Sequence, residues 1–335
     1  MNKNDSATRN AGNRAKTGHV VCAIDSQMVL GLAVLLSSMK NHSKHQFVVT
    51  VGYLEDSLPL RDRNFLHRIA HHLKIEVSFQ ELPNRRLFIR QGHISPTTFT
   101  KFLLSDMFET PHVWIDADTV ALPGWDQIFQ HLVGCSESES LVVAARGTSK
   151  KPNKDGPSNL AFNAGVLGWP EGKRKDWETP LSDMGPVATQ EQFLFNQLYS
   201  EFTKTIPEKF NLLTYRVDSL EPSDMPFIIH YAGAHKPWHL RRDLTHGCLK
   251  HICPWSAWFW AENRLIEEIR ETELEAEFTV RQRDALRAGR VQVRRDHSGY
   301  NLLRALSALG PMAIVLNKFL TTMKQWIPRG THPIH

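Results

Sequence analysis

HVVCAIDSQMVLGLAVLLSSMKNHSKHQFVVTVGYL, residues 19–54, decides the fold class. His19 to Ile24 is a short apolar run that ends at Asp25, the pattern of a strand buried on both faces. Met28 to Met39 is apolar all round and long enough to be a buried helix. Phe47 to Leu54 carries Val48, Val49, Val51 and Tyr53, a second strand rich in β-branched residues. The pattern repeats downstream. Phe65 to Leu73 has helical spacing and Ile75 to Leu82 alternates as a third strand. A β-α-β-α-β order with apolar strands predicts an α/β fold, a mainly parallel sheet with helices on both faces. Such sheets bind ligands beyond the carboxyl ends of their strands, and Asp25 stands at one.

Further along, Thr98 to Phe108 reads as a helix, and Val113-Trp114-Ile115 as a strand running into Asp116-Ala117-Asp118. Leu141 to Ala145 and Phe162 to Trp169 read as strands, Lys150 to Ser158 as a loop, and Gln190 to Tyr199 as an amphipathic helix. Phe227 to Tyr231 is the last strand, and one long helix is expected from Trp255 to about Ala288.

Bulk properties set bounds. The chain has 335 residues, 41% hydrophobic and 22% charged, in the range of a globular protein with one α/β domain and appendages. The net charge of +5 is unevenly placed: residues 281–335 hold ten Lys or Arg against two Asp, so the rest of the chain is net acidic. A basic tail suits an anionic surface, either membrane or nucleic acid. It contains no zinc-finger or RNA-binding motif, so nucleic acid is not expected as a partner.

In the tail, apolar residues from Leu302 to Trp326 recur at three- and four-residue steps, with Gly310-Pro311 dividing two helices. That stripe either lies on an anionic membrane face or packs on the domain or on a second copy of the chain in a homodimer. Residues 1–18 are polar, lack the apolar core of a signal peptide, and read as a disordered lead. Residues 305–317 are too short an uncharged run to span a bilayer. A cytoplasmic protein with free thiols is the expectation; Cys248 and Cys253, interleaved with His246 and His251, could alternatively hold zinc.

Four features could carry chemistry. In an extended segment, side chains two apart face the same way, so Asp116 and Asp118 project together. Two close carboxylates repel unless a cation sits between them, and oxygen ligands suit Mg²⁺ or Mn²⁺. A solvated turn is the plainer alternative. His230 ends an apolar strand and opens His-Tyr-Ala-Gly-Ala-His-Lys-Pro-Trp, where Gly233 permits close backbone approach and Lys236 supplies a charge for phosphate. An imidazole beside carboxylates favours Mn²⁺ over Mg²⁺. Gly165, within Phe162-Asn163-Ala164-Gly165, marks either a bulge or a ligand lying close, and Asn163 could bond sugar hydroxyls. Glu191-Gln192 opens a helix, where an acidic residue is common for dipole reasons alone.

Taken in order, these pieces resemble the family 8 glycosyltransferases. The matching stretches are Ala23 to Gln27, VWIDADTV, FNAGVLGW, EQFLFN, IPEKFNLL and HYAGAHKPW, spanning Val20 to Trp238, with WSAWFWAE extending the likeness to about Glu262. The resemblance implies a GT-A fold in a catalytic domain over residues 19–280, followed by the helical tail. It also implies retaining transfer of a hexose from a UDP-sugar to a glycan or glycolipid acceptor, with Mn²⁺ (or Mg²⁺) as cofactor. By position, Asp116, Asp118 and His230 match the metal ligands, and Asp25 and Gln27 the nucleoside contacts. Lys236 and Gly233 match residues at the diphosphate, and Asn163 a sugar contact. Glu191 and Gln192 match an Asp-Gln pair near the transferred sugar. The departures are Glu191 for the aspartate, Lys101 for an upstream arginine, whose place among the substrate contacts the resemblance passes to it, Met28 for an aromatic beside the base, and Arg146-Gly147 for an aspartate after the next strand. A nucleotide-sugar binding module without turnover is the alternative reading.

Overall fold

The structure is a computed structural model that describes residues 17–90, 94–136, 138–144, 162–172, 174–184, 191–214, 225–233, 236–239 and 254–295. The 150–158 loop, Arg146-Gly147, the Cys248/Cys253 group and the apolar stripe from Leu302 to Trp326 lie outside the described residues.

Strands β1 (Gly18–Ala23), β2 (Phe47–Leu54) and β3 (Glu76–Leu82) alternate with helices α1 (Val29–His42) and α2 (Leu60–His72). After helix α3 (Thr100–Met107), strand β4 (His112–Ile115) pairs with β1, and all four strands run parallel. Strand β5 (Thr119–Ala121), helix α4 (Ile128–His131), β6 (Leu141–Val143) and β7 (Val166–Trp169) come next. They are followed by α5 (Glu178–Met184), α6 (Glu191–Tyr199), β8 (Thr203–Thr205), β9 (Leu212–Leu213) and β10 (Ile228–His230). Helices α7 (Pro254–Glu268) and α8 (Glu273–Arg295) complete the described chain.

The main sheet has seven strands in the order β3-β2-β1-β4-β7-β6-β8, with β7 antiparallel to both its neighbours. A second sheet has the order β5-β10-β9. The α/β reading of residues 19–82 matches this architecture, and β2 has the predicted bounds.

Both faces of the main sheet are covered, which is why its central strands are apolar without alternation. Val20, Cys22, Ile24, Val113 and Ile115 face one core with α1 and α2. Val21 and Trp114, one residue out of step, face the other with α3 and α6. In that second core Phe102 stacks on Phe195 with ring centroids 4.0 Å apart, clamping α3 against α6. The residues beside them, Lys101 and Glu191, are thereby brought face to face.

Three expectations need correction. The single helix from Trp255 to about Ala288 is two helices, broken at residues 269–272, where Glu271 has φ +62. Thr272 and Glu275 carry the spacing of a capping box, and the Glu275 carboxylate accepts from the Glu271 N–H at 2.9 Å. The helix-forming residues on either side masked that start signal. α8 then runs without a break across residue 281, and Arg281 pairs with buried Asp62 at 2.7 Å. The strand expected over Phe162 to Trp169 covers only Val166–Trp169, because Asn163 Oδ1 accepts from the Gly165 N–H at 2.9 Å and turns the chain first. The strand at Val113 ends before the acidic pair as expected, but Asp116–Asp118 is not the extended segment assumed: residues 117 and 118 form a turn, with the Thr119 hydroxyl donating to the Asp116 carbonyl at 2.8 Å, and the chain enters the second sheet as β5.

Among the described residues no helix is long and apolar enough to cross a membrane. Cys22 and Cys135 are free, and burial pushes the Cys22 thiol well above its usual range.

Candidate functional site

The two sheets meet at Asp116–Asp118. β4 ends at Ile115 and β5 starts at Thr119, so the acidic pair spans the step between sheets. β10 runs antiparallel to β5 with His230 opposite Thr119, and the Tyr231 N–H bonds to the Asp118 carbonyl at 2.9 Å. That register places the imidazole beside the carboxylates. On the other flank β7 pairs with β4, and the Asp116 N–H bonds to the Gly165 carbonyl at 2.8 Å.

The result is a convergence of one ligand atom from each of Asp116, Asp118 and His230, all within 4.8 Å of one another. His230 Nε2 lies 3.4 Å from Asp118 Oδ1 and 3.8 Å from Asp116 Oδ2. Two carboxylate oxygens and an imidazole nitrogen form a donor set suited to a divalent cation. Asp116 is further fixed by the Trp114 indole N–H, 2.7 Å from its Oδ1.

Charges around the cluster are arranged unequally. Lys236 pairs with Asp118 and donates to the Tyr231 carbonyl at 3.1 Å. Burial alone pushes the Asp118 carboxyl up, but Lys236 and His230 outweigh it and hold the group well below the usual carboxylate range. Asp116 goes the other way: burial raises it, Asp118 and Glu191 add to the rise, and Lys101 with His230 offset only part. Two carboxylates this close raise one another's cost of ionising, a cost that a cation bound to both would relieve.

Lys101, only 1% exposed, lies 2.8 Å from Glu191 Oε1 and 3.2 Å from Asp116 Oδ1. Burial opposes its charge, yet the two carboxylates raise its pKa above the ordinary lysine value. In this structure Lys101 is a buried strut between α3, α6 and the end of β4. Glu191, which local sequence gave only a helix-dipole role, is 6% exposed and forms the far end of that strut.

The remaining candidates fall into place around this centre. Asp25 lies two residues beyond β1, the parallel neighbour of β4, so it stands on the same sheet edge. Its two oxygens accept from the Gln27 N–H at 3.0 Å and the Ser95 hydroxyl at 2.8 Å. The Gln27 side chain is exposed. Asn163 is turned inward: besides Gly165, its amide meets Gln192 Oε1 at 3.1 Å.

Gly165 has a different neighbour from the ligand or backbone that its sequence context suggested. A Cβ there would sit 2.0 Å from His230 Cε1, so the missing side chain is the space the imidazole occupies. Gly233 is required for conformation instead, with φ +107 and, among the described residues, nothing within 4 Å of where a Cβ would sit.

Sequence reading missed two participants. Asn211, fully buried, meets His230 Nδ1 at 3.0 Å and Asn163 Oδ1 at 3.0 Å. It lies inside the IPEKFNLL stretch, where a polar residue amid apolar ones was the available signal. Ser95 was the other, and its place before Pro96 marked a cap.

Comparison with known proteins is consistent with this geometry. The family described as "Glycosyl transferase family 8" matches residues 19–241. No curated protein sequence matches the chain significantly. The solved structure of galactosyltransferase LgtC in complex with donor and acceptor sugar analogs is similar, with a TM-score of 0.59 at 15% identity, over 78% of this chain and 99% of LgtC. The apo glycosyltransferase GlyE of Streptococcus pneumoniae has a TM-score of 0.52 at 16% identity, over 75% of this chain and 62% of GlyE. The bifunctional glycosyltransferase WbbM gives 0.51 at 16% identity, over 79% of this chain and 52% of WbbM. Likeness at these identities is a statement about the fold, the GT-A arrangement of a mainly parallel sheet flanked by helices.

Proposed function

The chain belongs to glycosyl transferase family 8 and is a glycosyltransferase, and on that footing we propose that it moves a hexose, glucose or galactose, from a UDP-sugar to a glycan or glycolipid acceptor with retention of configuration. The observation that carries the reading is the convergence of Asp116, Asp118 and His230 with Lys236 alongside. Those three residues would hold the divalent cation, for which Mn²⁺ fits a mixed imidazole and carboxylate set better than Mg²⁺. A cation bound there supplies positive charge where the departing diphosphate gains negative charge.

The chain's own residues take the remaining parts. Lys236, next to Asp118, is placed to turn its ammonium to the diphosphate. Asp25 and Gln27, at the end of β1, receive the nucleoside. Asn163 and Gly233 border the sugar and diphosphate, Gly165 leaves room for the His230 ring beside them, and Lys101 holds the Glu191 carboxylate at their edge. Double displacement would need a free carboxylate nucleophile, whereas Gln192 is an amide and the Glu191 carboxylate is engaged by Lys101. Front-face transfer fits better. The bond from the anomeric carbon to the phosphate oxygen breaks, the acceptor oxygen bonds to the same face, and its proton passes to the departing phosphate. Glu191 orients the sugar or stabilises positive charge at its anomeric carbon.

We place the enzyme in the cytoplasm, with the basic residues after 281 drawing it to an anionic membrane face where a lipid-linked acceptor would reside. The test is product analysis with UDP-glucose or UDP-galactose, Mn²⁺ and glycolipid acceptors carried in anionic liposomes. An α-linked hexose on the lipid, with protein recovered on floated liposomes, is the expected result. A β-linked product contradicts retention; transfer by protein that never floats contradicts the membrane assignment.

A further inference from the structure

Asn211 is fully buried at the end of the turn before β9, and the orientation of its amide follows from a group whose polarity is fixed. The backbone N–H of Gly165 can only donate, so the Asn163 atom 2.9 Å away is its oxygen. The Asn163 NH₂ is then the group 3.1 Å from Gln192 Oε1. The same Asn163 oxygen lies 3.0 Å from the Asn211 amide, which must present its NH₂ there; that NH₂ also reaches the Asn163 carbonyl at 3.4 Å. Asn211 Oδ1 is therefore the atom 3.0 Å from His230 Nδ1, and an amide oxygen only accepts. The hydrogen of a neutral His230 is on Nδ1. Its Nε2 lone pair is bare and faces Asp118 Oδ1 at 3.4 Å and Asp116 Oδ2 at 3.8 Å.

We infer that Asn211 is a positioning residue that holds His230 in the tautomer able to ligate a cation, and that the chain His230–Asn211–Asn163–Gln192 ties the metal ligand to the first turn of α6. The inference rests on reading Asp116, Asp118 and His230 as a cation site. With the Nδ1 hydrogen held by Asn211, the Nε2 lone pair is the one turned toward the two carboxylates, as ligation requires, so fixing the tautomer favours binding. The other imidazole nitrogen of a metal ligand is commonly fixed in this way by an acceptor outside the ligand set. Asparagine suits the place because it accepts from His230 and donates to Asn163 at once. Aspartate can do only the first, and an aliphatic residue neither. Gly165 contributes to the same end by leaving room for the ring.

The experiment measures Mn²⁺ affinity without donor, from the electron paramagnetic resonance signal of free Mn²⁺, for wild type, Asn211→Ala, Asn211→Asp and Asp118→Asn. Thermal melts check folding, and Asn211→Ser replaces the alanine variant if that does not fold. Asn211→Ala should weaken Mn²⁺ by about 10- to 100-fold. Asn211→Asp, still accepting from Nδ1, should bind Mn²⁺ nearly as wild type does but turn over more slowly, because its second oxygen now opposes Asn163 Oδ1. Wild-type affinity in Asn211→Ala, or a loss in Asn211→Asp as large as in the alanine variant, overturns the role of Asn211 while leaving the cation site standing. A wild type that binds Mn²⁺ no better than Asp118→Asn overturns the cation site, and the inference with it.

Discussion

Asp118→Asn lowers turnover by about a thousandfold or more, the several kcal/mol expected when a charged ligand to a catalytic cation becomes a neutral amide. The fold survives the change. Asp118 is buried and paired with Lys236, but the amide keeps its shape, and its backbone carbonyl still accepts from Tyr231. Asp118 is also the better ionised of the two carboxylates, because Lys236 and His230 outweigh its burial. Steady-state UDP release at saturating donor, with Mn²⁺ varied, measures the loss of turnover. A variant restored to wild-type rate by raising Mn²⁺ about tenfold would limit Asp118 to a weak contribution to affinity.

Lys236→Ala is expected to lower kcat by about a hundredfold to a thousandfold, the range found when one donor to a developing oxyanion is removed, with a smaller change in donor affinity. The difference arises because a point charge beside a diphosphate gains most as the bond to the sugar breaks and negative charge accumulates. In the structure the ammonium is engaged by Asp118 and the Tyr231 carbonyl. A cation bound between Asp116 and Asp118 would replace it there and free it for phosphate. Separate determination of kcat and donor Kd decides the matter. Equal losses in both, or a loss in affinity alone, contradict a role in stabilising the leaving group.

Much of this arrangement is legible in the amino-acid sequence, and the parts that are hidden there share a cause. β1 to β3 are legible because a strand buried on both faces needs a continuous apolar run. Asp116, Asp118, His230 and Lys236 stand out because charges beside apolar strands need a reason to be there. What sequence conceals is pairing between distant segments. β5, β9 and β10 are two or three residues each, too short for periodicity to register, yet their register is what carries His230 to the carboxylates. Lys101 looks like a ligand contact in sequence because nothing local shows that Glu191, ninety positions on, meets it at 2.8 Å. Gly165 presents the same difficulty: the atom that excludes a side chain there belongs to His230. Asn211 passes unnoticed because an asparagine gains its meaning from partners at both ends of its amide.

The proposed transfer from a UDP-hexose depends on a cation held by Asp116, Asp118 and His230. Metal-stripped protein given a UDP-hexose and acceptor should release UDP only as Mn²⁺ is titrated back, saturating at one ion per chain. Full-rate UDP release in excess EDTA would contradict that dependence.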